Sequence, residues 1–284
     1  MWNIKVKTDM RKELDKKINQ SIKFLQITCK GKDVDLAYSG GKDSDVILEL
    51  AKMAGINYHA IYKNTTIDPP HTIAHCKNKG VEIIPPKMTF AEILQKYGMP
   101  TRWARSCCKY LKEYKIGDYV ITGVRRAESR KRAERYKEPT QCRLYPHGER
   151  VEIFMPLLEW TNEDVAEFIA KRGIKCHPLY YDEQGNFHVE RRLGCLCCPL
   201  MSKKKRIEEF KKYPNMIKFY ARNAKIFLGN HPDAKTTKIF RNEWEWLYYN
   251  IFLQSMTKFN AIMSPDLWGN RFDCEKAIKE YFGL

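Results

Sequence analysis

No stretch of this 284-residue sequence approaches the ~20 consecutive apolar residues that a membrane-spanning helix needs. Residues 1–17 alternate charges with single apolar side chains and lack the apolar core of a secretory leader. No internal repeat or low-complexity linker interrupts the chain. Acidic residues are in deficit: 34 Asp plus Glu stand against 51 Lys plus Arg, a formal charge of +17. That balance favours a polyanionic partner, although solubility alone would also account for it. A hydrophobic content of 43% with 12% aromatics excludes wholesale disorder. Ten cysteines without a leader predict a reducing, cytoplasmic location, where thiols serve as metal ligands or nucleophiles more often than as disulfides.

What is present is organised around Ser39-Gly40-Gly41-Lys42-Asp43-Ser44, set between the strand-like run at 34–38 and a helix-like run at 44–53. Strand, glycine turn and helix form an anion-binding arrangement. Adjacent glycines let the backbone approach a ligand and adopt positive φ, and the first helical turn offers unpaired N–H groups at the positive dipole end. Lys42 adds a full charge, and is expected to be solvated or ligand-facing. The stretch is not a Walker loop, which needs glycine six places before its lysine and Ser or Thr directly after it; Leu36 and Asp43 occupy those places.

Apolar spacing predicts a covering helix at 9–29 through Met10, Leu14, Ile18, Ile22 and Leu25. Further strands are predicted at 58–62, 81–84, 119–122 and 151–154, and helices at 89–97 and 103–114, with Thr161 and Asp164 opening another. Strands alternating with helices imply an α/β fold with a parallel, doubly wound sheet, which binds ligands at the carboxyl ends of its strands. The glycine loop, Asn64-Thr65-Thr66 and Gly123-Val124-Arg125 fall at such ends. From Ser202 the pattern is helical, at 203–213, 215–228 and 237–256. The expected division is a covering helix at 1–32, a nucleotide domain at 33–200 and a helical region at 201–284.

Cys107-Cys108 and Cys195-Leu196-Cys197-Cys198 form the second constellation. Two thiolates separated by two residues grip one metal centre, and an adjacent pair supplies the remaining ligands. An iron–sulfur cluster, structural zinc (Zn²⁺) and inert packing are the alternatives. Cys197 is left as a near neighbour. Cys29, Cys76, Cys142 and Cys176, without partners, read as structural, and His59, His71, His75 and His177 as packing or surface residues.

The loop resembles the SGGKDS pyrophosphate loop of the adenine-nucleotide alpha-hydrolase superfamily, whose members hold the outer phosphates of ATP and transfer AMP. The cysteine set resembles that of the iron–sulfur-binding members of the phosphoadenosine phosphosulfate (PAPS) reductase family, in which such a set holds a four-iron four-sulfur (4Fe–4S) cluster. The segment 64–70 is similar to the family stretch beside the adenine. Gly123-Val124-Arg125-Arg126-Ala127-Glu128-Ser129-Arg130 is similar to its arginine signature, and Pro156 to Val165 to its join into a closing helix. The likeness spans about residues 33–200.

It implies ATP and Mg²⁺ as cofactors beside the cluster. Ser39, Gly40, Gly41, Lys42, Asp43, Ser44, Asn64, Thr65, Thr66 and Gly123 would hold the nucleotide. Lys42, Arg125 and Arg126 would be catalytic, the arginines facing an anionic acceptor, while Lys131, Arg132 and Lys137 would be solvated. Cys107, Cys108, Cys195 and Cys198 would ligate the metal. Reductases of sulfonucleotides tend to have a loop without lysine and a cysteine in a C-terminal tail. This sequence keeps the lysine, and its last cysteine is Cys274. The closest motif pattern is the DNA phosphorothioation-type branch. It implies adenylation of an acceptor, DNA or tRNA, for sulfur transfer from a donor protein. The alternatives are a reductase releasing sulfite and a non-catalytic nucleic-acid-binding metal module. Residues 203–225 carry nine basic side chains, with Phe210, Tyr213 and Ile217 expected to face the core.

Overall fold

A computed structural model describes residues 2–145, 148–235 and 237–284, with side chains from Lys12 onward. Helix α1 (Trp2–Thr28) buries Leu14, Ile18 and Leu25, as their spacing requires; Met10 lies outside the described side chains. Ser21 fixes the helix against the sheet layer. Its hydroxyl donates to the Pro156 carbonyl at 2.8 Å and accepts from the Trp160 indole at 3.1 Å.

Six strands form one sheet: β1 (Val34–Tyr38), β2 (His59–Lys63), β3 (Glu82–Ile84), β4 (Tyr119–Ile121), β5 (Thr140–Leu144) and β6 (Arg150–Phe154), in the order β3-β2-β1-β4-β6-β5. Leu36 of β1 pairs with Ala60 on one side and Ile121 on the other, both in parallel register. The sheet is not wholly parallel: β5 runs antiparallel to β6, with Cys142 opposite Glu152. The short connection between β5 and β6 explains this. A parallel neighbour needs a crossover of about a dozen residues or more, whereas a short link permits only a hairpin. Strand β5 escapes a reading of the sequence because Thr140-Gln141-Cys142-Arg143-Leu144 has no buried residue to give it an apolar signature.

Strand order reverses between β1 and β4. Strands β2 and β3 lie on one side of β1, and β4 and β6 on the other. Loops leaving the carboxyl ends of strands separate at such a point and open a crevice. The glycine loop leaves β1 there, and residues 122–125 leave β4.

Helices α2 (Lys42–Ala54), α3 (Thr72–Asn78), α6 (Arg130–Arg135) and α7 (Asn162–Arg172) belong with α1 and the sheet. Gly55 ends α2 at φ +63°, and Thr161 with Asp164 forms the reciprocal cap of α7. Leu36, Val46, Ile47, Leu50, Phe154, Leu157 and Phe168 lie at the centre of this core. The second compact unit is helical and comprises Thr65–Ile67, Pro86–Glu113 and Gly194–Leu284. Its helices are α4 (Phe90–Tyr97), α5 (Ser106–Leu111), α8 (Lys203–Lys212), α9 (Asn215–Asn230), α10 (Glu243–Tyr248), α11 (Met256–Met263) and α12 (Cys274–Phe282).

Two helices are shorter than their sequence pattern. The predicted 103–114 helix is confined to α5. The predicted 237–256 helix begins only where Asn242 caps α10, then widens into a π turn at Tyr249–Leu253 and stops at Gln254, φ +53°. Phe90, Ile93, Phe210, Ile217, Tyr220, Leu247 and Ile278 form the helical unit's own core. No described helix is long and apolar enough to cross a membrane.

Candidate functional site

Gly40 takes φ +77°, and Gly41 caps α2 from an extended conformation without a side-chain cap of its own, while the Tyr180 hydroxyl accepts from the Lys42 backbone N–H. The helix presents its other first-turn N–H groups to the loop, where an anion is stabilised by them and by the dipole. Ser44 Oγ donates to the Gly41 carbonyl at 2.7 Å and lies 3.2 Å from Ser39 Oγ, so the two serines brace the turn. Neither glycine has room to spare. A Cβ on Gly40 would stand 3.1 Å from Leu193 and 3.2 Å from Thr72, and one on Gly41 3.2 Å from the Tyr180 hydroxyl.

Lys42 differs from the expectation of a solvated side chain. It is only 5% exposed, with Nζ 3.1 Å from Asp43 Oδ2 and 5.5 Å from the centre of the Tyr180 ring. The other oxygen of Asp43 accepts from Arg125 Nε at 2.7 Å. Arg125 is 1% exposed, and its remaining nitrogens donate to the Trp160 carbonyl at 3.2 Å and Asn162 Oδ1 at 2.9 Å. A guanidinium cannot shed its proton, so burial demands such partners. Arg126 is likewise engaged: Nε donates to the Tyr136 carbonyl at 2.7 Å, and the terminal nitrogens to Glu159 and the Lys137 carbonyl. Both arginines, expected to face an acceptor anion, thus bond within the protein, and Arg125 serves to hold Asp43 and the loop.

Gly123 supplies the seat for that loop. A Cβ there would lie 3.1 Å from both the carbonyl carbon and oxygen of Asp43, backbone atoms that cannot swing aside. Gly123→Ala is therefore expected to destabilise the protein by about 1–3 kcal/mol, the usual range for an overpacked site. Thermal unfolding checks this, and an unchanged melting temperature would show that the loop is not seated on Gly123.

Beneath the loop, Asp45 is fully buried. It accepts from the Tyr38 hydroxyl at 2.5 Å, lies 3.0 Å from His75 Nε2 and 3.7 Å from Lys79 Nζ, and borders a cavity of about 610 Å³ with Cys176 and Arg172. Burial, then the Asp45 carboxylate, pushes the Cys176 thiol well up. Burial, then His75, pulls His177 down to about 4. These residues are packed and paired, as their isolation in the sequence implied.

The second constellation lies in the helical unit. Cys107 and Cys108 open α5 with sulfurs 4.0 Å apart. Cys195 Sγ donates to Thr65 Oγ1 at 3.8 Å, and the Leu196 N–H to the Ile67 carbonyl at 2.8 Å, tying the Cys195–Cys198 turn to residues 65–67. Both contacts are within this unit, and the second is a backbone bond that fixes the turn's register. Cys197 takes φ +47°, a turn conformation, with its N–H donating to Glu209 Oε2 at 2.6 Å and its carbonyl accepting from the Tyr220 hydroxyl at 3.0 Å. It shapes the turn, and burial followed by the Glu209 carboxylate pushes its thiol up to about 12.

Cys108 behaves differently. A hydrogen bond from the Cys107 thiol, aided by the Arg105 guanidinium, holds it down to about 6, and Cys107, which keeps the proton, is pushed up. Cys108 also bears electrostatically on Cys198, as does Cys195. Among the described residues, no three His, Cys, Asp or Glu side chains are grouped so as to hold a metal ion. A four-iron cluster takes one thiolate per iron, so its ligands need not meet at a single point. Four thiols in one unit are a donor set of that kind.

A model of the phosphoadenosine phosphosulfate reductase domain matches residues 33–201. The chain belongs to this family. An uncharacterized protein of Methanocaldococcus jannaschii is 30% identical over 254 residues, covering 84% of this chain and 58% of that protein. A phosphoadenosine 5'-phosphosulfate reductase of Xanthomonas euvesicatoria pv. vesicatoria is 34% identical over 85 residues, 29% of this chain and 32% of that one. The chain thus spans less than two thirds of either relative. The crystal structure of the Candida auris phosphoadenylyl-sulfate reductase in its phosphate complex aligns at a TM-score of 0.43 and 16% identity, over 60% of this chain and 89% of that one.

Within this PAPS reductase family domain, the residues singled out from sequence fall into two groups. Ser39 to Ser44, Gly123 and Arg125 converge in the sheet unit. Asn64 extends the β2–β3 pairing through its N–H to the Ile84 carbonyl at 3.1 Å. Thr65 and Thr66 belong to the helical unit with the four cysteines; Thr66, at φ +58°, accepts the Phe90 N–H at 2.9 Å. Sequence patterns miss Asn162, Trp160 and Tyr180 as supports of the loop. Asn162 directly follows the helix-capping Thr161, but nothing local marks it as a partner for Arg125.

Proposed function

We propose that this PAPS reductase family chain uses ATP to adenylate an oxygen of a nucleic acid so that sulfur can replace it. The observation that carries the reading is the start of α2 at a double-glycine turn, with Lys42 in its first turn, at the point where strand order reverses. The acceptor oxygen attacks the α-phosphorus of ATP, the bond to the β-phosphate oxygen breaks, and pyrophosphate leaves. Hydrosulfide delivered by a donor protein then attacks the adenylated centre, forming the bond to sulfur as the bond to the acceptor oxygen breaks, and AMP leaves carrying that oxygen. Lys42 and the N–H groups around Gly40 and Gly41 stabilise the departing pyrophosphate, and Mg²⁺ arriving with the nucleotide would share that charge. Arg125 positions Asp43 and the loop.

Cys107, Cys108, Cys195 and Cys198 would hold a 4Fe–4S cluster, which supplies redox-active iron for sulfur handling when bound; Zn²⁺ is the rival metal for the same thiols. The rival activity is sulfonucleotide reduction, favoured by the name of the Xanthomonas relative. Cys274 is not placed for thiol chemistry of that kind: it is buried, donates to Met263 Sδ at 3.7 Å, and has its thiol pushed up to about 12 by burial. A third reading, a non-catalytic nucleic-acid-binding metal module, predicts no turnover. Labelled ATP separates the three: acceptor-dependent pyrophosphate release supports adenylation, sulfite release from a sulfonucleotide with a thiol donor supports reduction, and neither product supports the module.

The acceptor reading also rests on charge in α8 and α9. Phe210 and Ile217 are buried and Tyr213 is partly so, as their spacing predicts, which turns Lys203, Lys204, Lys205, Lys211, Lys212, Lys218, Arg222 and Lys225 outward. Arg206 is the exception among the nine basic residues. It is 2% exposed, and donates to the carbonyls of Pro199 at 3.1 Å and Ile251 at 3.2 Å. Each phosphate contact adds ~0.9 to the slope of log affinity against log salt for duplex DNA, or ~0.7 for a single strand. Replacing Lys203, Lys204 and Lys205 with glutamine is therefore expected to flatten that slope in a DNA or tRNA titration while leaving acceptor-free ATP hydrolysis unchanged. An unaltered slope would assign these lysines to solubility.

A further inference from the structure

Residues 96–112 of the helical unit contain Lys96, Arg102, Arg105, Lys109 and Lys112 and no Asp or Glu. Three aromatic residues there each follow a basic one directly: Lys96-Tyr97, Arg102-Trp103 and Lys109-Tyr110. The Trp103 side chain is 99% exposed. A single exposed indole is unremarkable by itself. Here, however, its loop is braced: the Thr101 N–H donates to the Ala104 carbonyl at 3.0 Å, and the Ala104 N–H to Thr101 Oγ1 at 2.9 Å. The fold thus holds the indole out on a hydrogen-bonded turn, with a cation on either side in sequence.

Tyr97 and Tyr110 add a second aromatic surface. Their rings stack at 5.3 Å and 11°, their hydroxyls are 2.8 Å apart, and Lys96 and Lys109 sit 5.4 and 5.6 Å from the respective ring centres. Tyr97 remains exposed. Aromatic faces interleaved with cations suit unpaired bases joined by phosphates, because a base offers its flat face only when it is outside a duplex stack. Arg105 is committed elsewhere, to Cys108 and, at 3.4 Å, to Glu113. Arg102 and Lys109 are left as the cations nearest the indole in sequence.

We infer that residues 96–112 are a stacking platform for single-stranded nucleic acid, with one base on the Trp103 indole and the adjoining phosphates on Arg102 and Lys109. The inference rests on the nucleic-acid reading above and deepens it, since it makes the acceptor a single-stranded or extruded segment. Arg105 links this segment to the Cys108 thiol, five residues from Trp103 in the chain.

The test compares the full chain with its Trp103→Ala and Trp103→Phe variants, titrated with fluorescein-labelled oligothymidylate and with a duplex of equal length. Trp103→Ala should weaken single-strand binding by roughly 5- to 150-fold, as loss of one base–aromatic stack does. Trp103→Phe should recover most of that loss, and duplex binding should be unaffected. Both variants should melt with the parent, because the side chain is exposed. If the parent binds oligothymidylate and Trp103→Ala binds it equally well, the platform is overturned while the nucleic-acid reading stands. If the parent binds neither probe at low salt, both fall. Self-association of the parent that Trp103→Ala abolishes, with nucleic-acid affinity unchanged, would assign the indole to a protein contact and also overturn the platform.

Discussion

Lys42→Met is expected to lower pyrophosphate release from ATP by roughly 100- to 1000-fold, the usual cost of removing one preorganised donor from a developing anion. Methionine keeps an unbranched stem in the space that Lys42 fills beside Tyr180, so the loss should lie in turnover more than in folding. Lys42→Ala should match it in turnover and lose more stability, because Lys42 is buried and alanine also vacates the space its stem fills beside Tyr180. In both variants Arg125 still holds the other oxygen of Asp43, which keeps the cost of losing the ammonium to about 1–3 kcal/mol. Pyrophosphate release and thermal melts on both variants check this. Parental turnover in Lys42→Met would remove the glycine loop from the proposed chemistry.

Cys107→Ser, Cys108→Ser, Cys195→Ser and Cys198→Ser should each yield an anaerobically purified protein that has lost its brown colour, iron and acid-labile sulfide. The thiols come from two segments 86 residues apart, counted between Cys108 and Cys195. Ligation would cross-link α5 to the turn that follows Gly194, and its loss should lower the melting temperature of the helical unit as well as bleach the protein. Cys76→Ser is the control. Cys76 is buried in the core of the sheet unit, so its replacement should perturb packing and leave iron and sulfide intact. A colourless parent carrying stoichiometric zinc would defeat the cluster and favour the zinc alternative.

Much of the molecule is legible in its sequence because the relevant signals are local. Strand-like runs separated by helical periodicity disclose the doubly wound sheet, and Thr161 with Asp164 discloses the start of α7, since a capping box is complete within four residues. The Ser39–Ser44 loop is recognisable for the same reason: its glycines, its lysine and the helix after them form one continuous segment.

The remaining features depend on partners distant in the chain. Arg125 reads in sequence as an anion-binding residue at a strand end, but Asp43, Trp160 and Asn162 take its guanidinium, the first of them 82 residues away. Arg206 sits in a run of solvated lysines, yet the carbonyls of Pro199 and Ile251 bury it. Sequence by itself determined which residues carry charge, turn the chain or start a helix. Only the tertiary structure decided which charges meet water and which are held inside, because burying a charge is tolerated only where folding brings compensating partners within hydrogen-bond reach.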